Sequence, residues 1–327
     1  MLSPSEPSDR SEPHATFVAI ADYALARVIE NEAAYDAAVL HLLDALAAAF
    51  RSLKVPDCAK LLGPVAPGAS APGGGRVPGT SYEFDPVRAA FNNGALMCPL
   101  DGDEPRAIHP AESLGALLAV ADFVARRDAL EGKKRLKVRH VLEGLIKAHA
   151  LRSALACAAE ADGAFAQVRS RVASAAMASV LLGAEREQVL AAAAHAWLEA
   201  RSGADSAHYS TASSRWRTGD AASRATRVAL LASNNELAYP FTYSSSDEPE
   251  SLSPQGSLWL AKPIECDDIM LAAPCMDAES GVMKRFDDAV AAHFSAKQSE
   301  SIKRMAADRA TLQSLPLAEF VARLVKN

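Results

Sequence analysis

The sequence predicts an all-α protein, and three observations lead there. Aromatic residues make up only 6% of the 327 residues while alanine is abundant, a composition suited to helices that pack closely on one another. Apolar residues recur at helical spacing in segment after segment, with charged residues between them. Most of the intervening loops are short, as in antiparallel helical packing.

The elements follow in order. Residues 1–14, beginning MLSPSEPSDRSEP, carry Glu6, Asp9 and Glu12 and read as a solvated tail. They have neither the apolar run of a secretory signal nor the acid-poor, Arg-rich character of a transit peptide. A helix is predicted over Phe17–Ile29, where Phe17, Ile20, Ala24 and Val28 share a face, and a second over Tyr35–Phe50, built on Val39, Leu42, Leu43, Leu46 and Phe50. Residues 55–82 are too rich in Pro and Gly for a helix. Leu61, Leu62, Val65 and Val77 give this stretch apolar anchors, so it reads as either an ordered surface loop or a flexible linker. Helical spacing returns over Pro86–Met97, Ser113–Arg127, Val138–Ala156, Ala166–Leu182, Glu185–Arg201 and Gly219–Ala232. Residues 234–283, with five prolines and the run Ser244–Ser246, break the pattern. Helices resume at Arg285–Phe294, around Ile302–Leu312 and at Leu317–Val325. The expected organisation is a tail (1–14), a helical domain (15–240), an irregular segment (241–283), and C-terminal helices (284–327) that complete the helical domain.

Composition narrows the function. The 40 acidic against 34 basic residues leave a net charge of −6, which gives no electrostatic reason to expect nucleic acid as a partner. No uninterrupted apolar stretch is long enough for a membrane span. The five cysteines, Cys58, Cys98, Cys157, Cys266 and Cys275, are odd in number, contain no C-x-x-C, and fit a reduced, cytoplasmic setting. An iron–sulfur hydro-lyase needs cysteines gathered on one cluster, and this spacing gives no such signature. Cys266 and Cys275 near Asp267 and Asp268 make a weak metal motif, more simply read as small apolar residues by an acidic turn.

Several segments, in the same order, resemble the MmgE/PrpD family, which includes 2-methylcitrate dehydratases and cis-aconitate decarboxylase. They are LLGPVAPGASAPGGGRVPGTSYEFDPVRAAFNNGA (Leu61–Ala95), HPAESLGALLAVADFVARR (His109–Arg127), VLEGLIKAHALRSALA (Val141–Ala156), WRTGDAASRATRVALLA (Trp216–Ala232) and LQSLPLAEFVARLV (Leu312–Val325). The Gly/Pro loop points to the dehydratase branch. The resemblance implies an all-helical domain with an α+β lid inserted before the last helices. Here the short stretch 241–283 stands in place of most of that lid.

The resemblance also implies a chemistry: loss of water from a 2-methylcitrate or alkylcitrate tricarboxylate, with no metal and no cofactor. A base takes a proton beside a carboxylate, an acid protonates the leaving hydroxyl, and cations hold the carboxylates. Asp101 and His109 are similar to the family's active-site aspartate and His-Pro motif and are the expected catalytic pair. Asp103, His208, Arg215 and Arg217 are the expected substrate-binding residues. Taken alone, Asp101-x-Asp103-Glu104 is a solvated acidic turn, a His beside Pro is unremarkable, and Arg215 and Arg217 are a basic helix entrance. Asp220 and Arg224 also match the family resemblance, and their spacing of four residues fits a structural ion pair equally well.

The chain departs from the family pattern at several positions. Pro105 replaces a threonine, Ala166 falls where a second histidine belongs, Ser214 replaces a lysine, and the Asp101–His109 spacing is short. These departures, with the reduced lid, keep a second expectation open: a catalytically inactive relative acting as a binding or dimerisation partner, with itself or with a full-length homologue. A misjoined gene lacking the lid-coding region is a third.

Overall fold

Helices start where the sequence offers an acceptor for their unpaired N–H groups. In the computed structural model, which describes residues 13–100, 110–133, 135–157, 164–201, 211–239, 258–260, 264 and 276–326, His14 caps α1 (Ala15–Ala26) and Asn31 caps α2 (Glu32–Ser52). Asp85 accepts from the Val87 and Arg88 amides at 3.0 Å, ahead of Pro86 at the first turn of α4 (Pro86–Met97). Such caps contribute about 1 kcal/mol each. Between α2 and α4 lie the short α3 (Pro56–Ala59) and a two-stranded ribbon, β1 (Gly75–Arg76) and β2 (Glu83–Phe84), antiparallel with Gly75 opposite Phe84.

The long helices follow: α5 (Ala111–Leu130), α6 (Val138–Ala154), α7 (Ala164–Leu182), α8 (Arg186–Arg201) and α9 (Thr211–Ser233). The chain closes with α10 (Met276–His293), α11 (Ala296–Ala307), α12 (Arg309–Ser314) and α13 (Leu317–Leu324). Two three-residue strands, β3 (Leu155–Cys157) and β4 (Leu258–Leu260), pair antiparallel, with Ala156 opposite Trp259. The expected all-α class is the observed one.

Helix α5 runs through the middle, packed on α4, α6, α7 and α9. Its Leu114, Leu117, Leu118, Val120 and Ala121 are wholly inaccessible. Around it, alanines such as Ala175, Ala176 and Ala178 of α7 and Ala192, Ala193 and Ala194 of α8 are sealed in the core. Truncating one core leucine to alanine costs about 2–5 kcal/mol. α2 is long and apolar enough to cross a membrane by length and composition, but 83% of its apolar window is buried inside the protein, as in a core helix.

Three glycines set the closest contact. A Cβ on Gly94 of α4 would lie 2.9 Å from the Thr218 carbonyl of α9, and one on Gly219 of α9 would lie 2.7 Å from the Phe91 carbonyl of α4. A Cβ on Gly115 of α5 would lie 2.7 Å from the Gly94 nitrogen. The contacts are with backbone, which cannot swing aside. The side of α5 that meets α7 is joined by a buried Ser113–Ser174 hydroxyl pair at 2.9 Å.

The Gly/Pro stretch is an ordered, anchored loop. Arg76 clamps Asp122 of α5, Nε to Oδ2 at 3.0 Å and Nη2 to Oδ1 at 2.6 Å, and also reaches the Ala318 carbonyl of α13 at 2.7 Å. Asp122 is wholly buried and also accepts the Arg76 amide at 2.9 Å. Gly79, at φ +80°, donates its N–H to the Leu324 carbonyl at 2.7 Å and accepts from His293 at 2.6 Å. Of the four expected anchors, Val77 is buried and Leu62 packs on the core, but Val65 is 85% exposed.

Three helices depart from their expected bounds for identifiable reasons. α9 begins at Thr211, two turns before Gly219, because its inward face carries Arg215 and Thr218 and so hides the apolar spacing. α10 begins at Met276, within the stretch expected to be irregular; Val282, Phe286 and Val290 form one buried stripe that extends back from Arg285. The helix expected around Ile302–Leu312 is two helices, because Asp308 turns to cap Thr311.

Gly115→Ala is expected to lower unfolding stability by about 2–4 kcal/mol, since backbone must move to admit the methyl group. Urea denaturation of the variant beside Gly144→Ala, whose Cβ would meet only Leu117 side-chain atoms at 3.4 Å, checks this. Equal losses would show that the glycine contact is not limiting.

Candidate active site

Helix ends gather at one end of the molecule. The C-terminal ends of α4 and α6 meet the N-terminal parts of α5, α7 and α9 there, and their side chains fall into two groups.

The first group surrounds Arg215, which is 1% exposed. Its Nη1 donates to Ser52 Oγ at 2.9 Å and the Ala95 carbonyl at 3.3 Å, and its Nη2 donates to the Pro99 carbonyl at 2.8 Å. A guanidinium against the free carbonyls at the end of α4 is favourable by charge as well as by hydrogen bonding. Beside it, Thr218 Oγ1 lies 3.6 Å from Cys98 Sγ, and Ser214 Oγ lies 3.9 Å from the same sulfur. Cys58 and Cys98 are buried thiols.

The second group surrounds Glu112, in the first turn of α5. Arg152 of α6 donates from Nη1 to Ser170 Oγ of α7 at 3.0 Å. The same hydroxyl hydrogen-bonds Glu112, so it accepts from arginine and donates to the carboxylate. Arg171 of α7 and Arg217 of α9 also act electrostatically on Glu112. Burial pushes the Glu112 carboxyl above the ordinary glutamate range, against the opposing pull of Ser170 and the arginines. Burial likewise lowers Arg152 to about 10, against the pull of Glu112.

Two residues apart on α9, Arg215 and Arg217 part company. Arg215 was expected to hold a substrate carboxylate, but the three acceptors just described are all protein oxygens. Arg217 is half-buried and on the Glu112 side. The expected Asp220–Arg224 ion pair is formed, Oδ2 to Nε at 2.8 Å. Asp101, Asp103, His109 and His208 lie outside the described residues, as do Cys266 and Cys275. Asp101 directly follows Leu100 and His109 directly precedes Pro110, so both are covalently tied to the ends of α4 and α5. Among the described residues no group of three or more His, Cys, Asp or Glu side chains is placed to hold a metal.

Sequence reasoning missed Glu112, Arg152, Ser170 and Arg171. The available signal was charge on otherwise apolar helices: an acid one turn after His109, an arginine closing α6, and Arg169-Ser170-Arg171 opening the buried run of α7.

The fold and the site define the class: an all-helical domain with a cationic group of side chains at gathered helix ends. Residues 18–245 match the MmgE/PrpD N-terminal domain, and the chain belongs to the MmgE/PrpD family. It is 39% identical over 252 residues to a 2-methylcitrate dehydratase of Cupriavidus necator, covering 73% of this chain and 51% of that protein. It is 38% identical over 251 residues to the Salmonella typhimurium 2-methylcitrate dehydratase, with the same coverages of 73% and 51%. It is 39% identical over 245 residues to a mitochondrial 2-methylcitrate dehydratase of Yarrowia lipolytica, covering 71% and 47%. The chain thus spans about half the length of the curated relatives it matches.

Two outcomes follow from the geometry. Arg215→Lys is expected to lose about 2–3 kcal/mol of stability, because one ammonium cannot serve the ends of α2 and α4 together; chemical denaturation measures this, and an unchanged midpoint would refute it. For Glu112 the sign is set by a folded-state pKa above the unfolded one. The folded protein binds that proton more tightly, so the contribution is favourable in acid and is lost as pH rises through the folded value. Urea melts from about pH 4 to about pH 8 are expected to show Glu112→Gln gaining on the wild type as pH rises. Parallel profiles would contradict the assignment.

Proposed function

We propose that this chain is a hydro-lyase of the 2-methylcitrate dehydratase type, acting on 2-methylcitrate or a related alkylcitrate. The observation that supports the reading most directly is the arginine group at the gathered helix ends, in a chain whose relatives are named 2-methylcitrate dehydratases. Dehydration of a tricarboxylate requires cations for the carboxylates and an acid/base pair beside them.

In this reading Asp101 and His109 form the acid/base pair. One removes the proton on the carbon next to a carboxylate. The electron pair forms the double bond, the C–O bond breaks, and the other delivers a proton so that the hydroxyl leaves as water. Arg217 holds a substrate carboxylate, with Asp103 and His208 as further binding residues. Arg215 is assigned a positioning role: by holding the Pro99 carbonyl it fixes the backbone two residues before Asp101. The partner is a small tricarboxylate, no metal is required, and self-association through the helical domain is the expected oligomeric arrangement.

A second reading, an inactive member that pairs with itself or a complete homologue, is favoured by Ser214 and Ala166 at positions where the family resemblance calls for lysine and histidine.

Purified protein incubated with 2-methylcitrate and longer alkylcitrates is expected to release the unsaturated tricarboxylate, detected by mass spectrometry. His109→Gln is expected to reduce the rate by about 10²-fold or more. No turnover of any alkylcitrate, under conditions where a full-length relative is active, would overturn the hydro-lyase reading in favour of the second one.

A further inference from the structure

His293, the last residue of α10, joins distant parts of the chain at the Gly79 turn. Its Nε2 donates to the Gly79 carbonyl at 2.6 Å. Its ring stacks on Phe50 of α2, with centroids 5.8 Å apart and planes 5° from parallel, and stands edge-on to Phe294 at 4.8 Å. The other side of the turn holds the segment that ends and follows α13. The Gly79 amide donates to the Leu324 carbonyl at 2.7 Å, and the Thr80 carbonyl accepts from the Lys326 amide at 3.1 Å. Gln298 of α11 fixes the same segment by donating to the Arg323 and Val325 carbonyls at 3.1 and 2.7 Å. The turn is tightly enclosed: a Cβ on Gly79 would lie 2.5 Å from Leu53, 3.0 Å from Phe50 and 3.3 Å from His293 Nε2.

The side chains that act on the charge of His293 are Lys54 and Lys326, both cations. The carbonyl end of α10, which would favour a cationic imidazole, is already served, because Lys54 Nζ donates to the Ala292 carbonyl at 2.6 Å. Burial, together with the two lysines, holds His293 below the ordinary histidine range, against the pull of the Gly79 carbonyl. Since Nε2 carries the hydrogen given to Gly79, the neutral ring keeps its lone pair on Nδ1, where a further proton would add.

We propose that His293 is an acid-sensitive latch: the neutral imidazole holds the Gly79 turn against α10, and protonation at Nδ1 releases that turn together with the Leu324–Lys326 segment. A charged ring beside Lys54 and Lys326 is relieved by turning toward water, which withdraws the donor from Gly79. The Gly/Pro loop, which leads through β2 into α4, then loses its tie to α10 and its main-chain bonds to the segment after α13. The sign follows from a closed-state pKa below the open-state one. The closed form binds the proton less tightly, so closure is favoured above the ordinary histidine range and is lost as pH falls through it. The latch does not depend on the hydro-lyase reading.

Hydrogen exchange of the full chain, followed by NMR at the amides of positions 79 and 326 and corrected for the pH dependence of intrinsic exchange, tests the proposal. Wild-type protection at both amides is expected to fall about threefold to tenfold between about pH 7.5 and about pH 5.5, while core amides of α5 keep theirs. His293→Gln keeps a side-chain N–H for Gly79 but does not titrate in this range, and is expected to show protection independent of pH. Lys326→Met keeps the backbone amide and removes one repelling charge, and its acid-induced loss is expected to be about twofold smaller. Should His293→Gln leave the turn open at both pH values, the Lys326→Met comparison decides. Wild-type protection that does not change with pH, an equal acid-induced loss in His293→Gln, or an undiminished loss in Lys326→Met would overturn the latch.

Discussion

The contact among Gly94, Gly115 and Gly219 is the constraint on which the rest depends. Helices α4, α5 and α9 approach with backbone against backbone, and a methyl group on any of the three glycines would meet backbone atoms at 2.9 Å or less. Close packing of this kind fixes crossing points tightly, because there is no side chain whose rotamer could absorb a shift. Two of these helices also carry Glu112, Arg215 and Arg217, and α4 leads directly into Pro99. The glycines therefore position the candidate site as well as the core.

Buried charge serves two different ends in this molecule. The Arg76–Asp122 pair has short, two-point geometry, a backbone N–H on the same carboxylate and a carbonyl on the same guanidinium. It ties the Gly/Pro loop to α5 and α13, and removing either partner would strand the other. Arg215 is held by neutral oxygens instead, its Nη donors ending on Ser52 Oγ and on the Ala95 and Pro99 carbonyls. The Glu112 group differs: several guanidiniums share one carboxylate, and that carboxylate is held with a raised affinity for protons. The Arg76–Asp122 pair and Arg215 hold elements of the fold together, while the Glu112 group lies where helix ends meet.

Much of the helical framework was legible in the residues. The α4 bounds were read directly because Asp85 and Pro86 mark a start and Phe91 and Leu96 a face. α9 was read short because Arg215 sits on its buried side, and a charged residue there cancels the apolar signal that the spacing argument uses. α10 was read short because prolines upstream masked Val282. The pairing of β3 with β4 had no local signal, since those strands are about a hundred residues apart and only three residues long. Of the candidate site, the sequence singled out Arg215 and Arg217 as a pair. It gave no reason to place them on opposite sides of α9, and it passed over Glu112 and Ser170 altogether.

By itself, then, the sequence determined class and kinship. Alanine content, helical spacing and caps are local properties, and motifs that follow a family's order need no coordinates to be recognised. Tertiary structure alone decided which charges meet. Whether an arginine faces a helix end, a buried carboxylate or water depends on where neighbouring helices cross, and those crossings are set by contacts between residues far apart in the chain. For that reason Arg215 and Arg217, two residues apart in the sequence, are a clamp on α4 and a neighbour of Glu112 only through the way α4, α5 and α9 meet at their glycines.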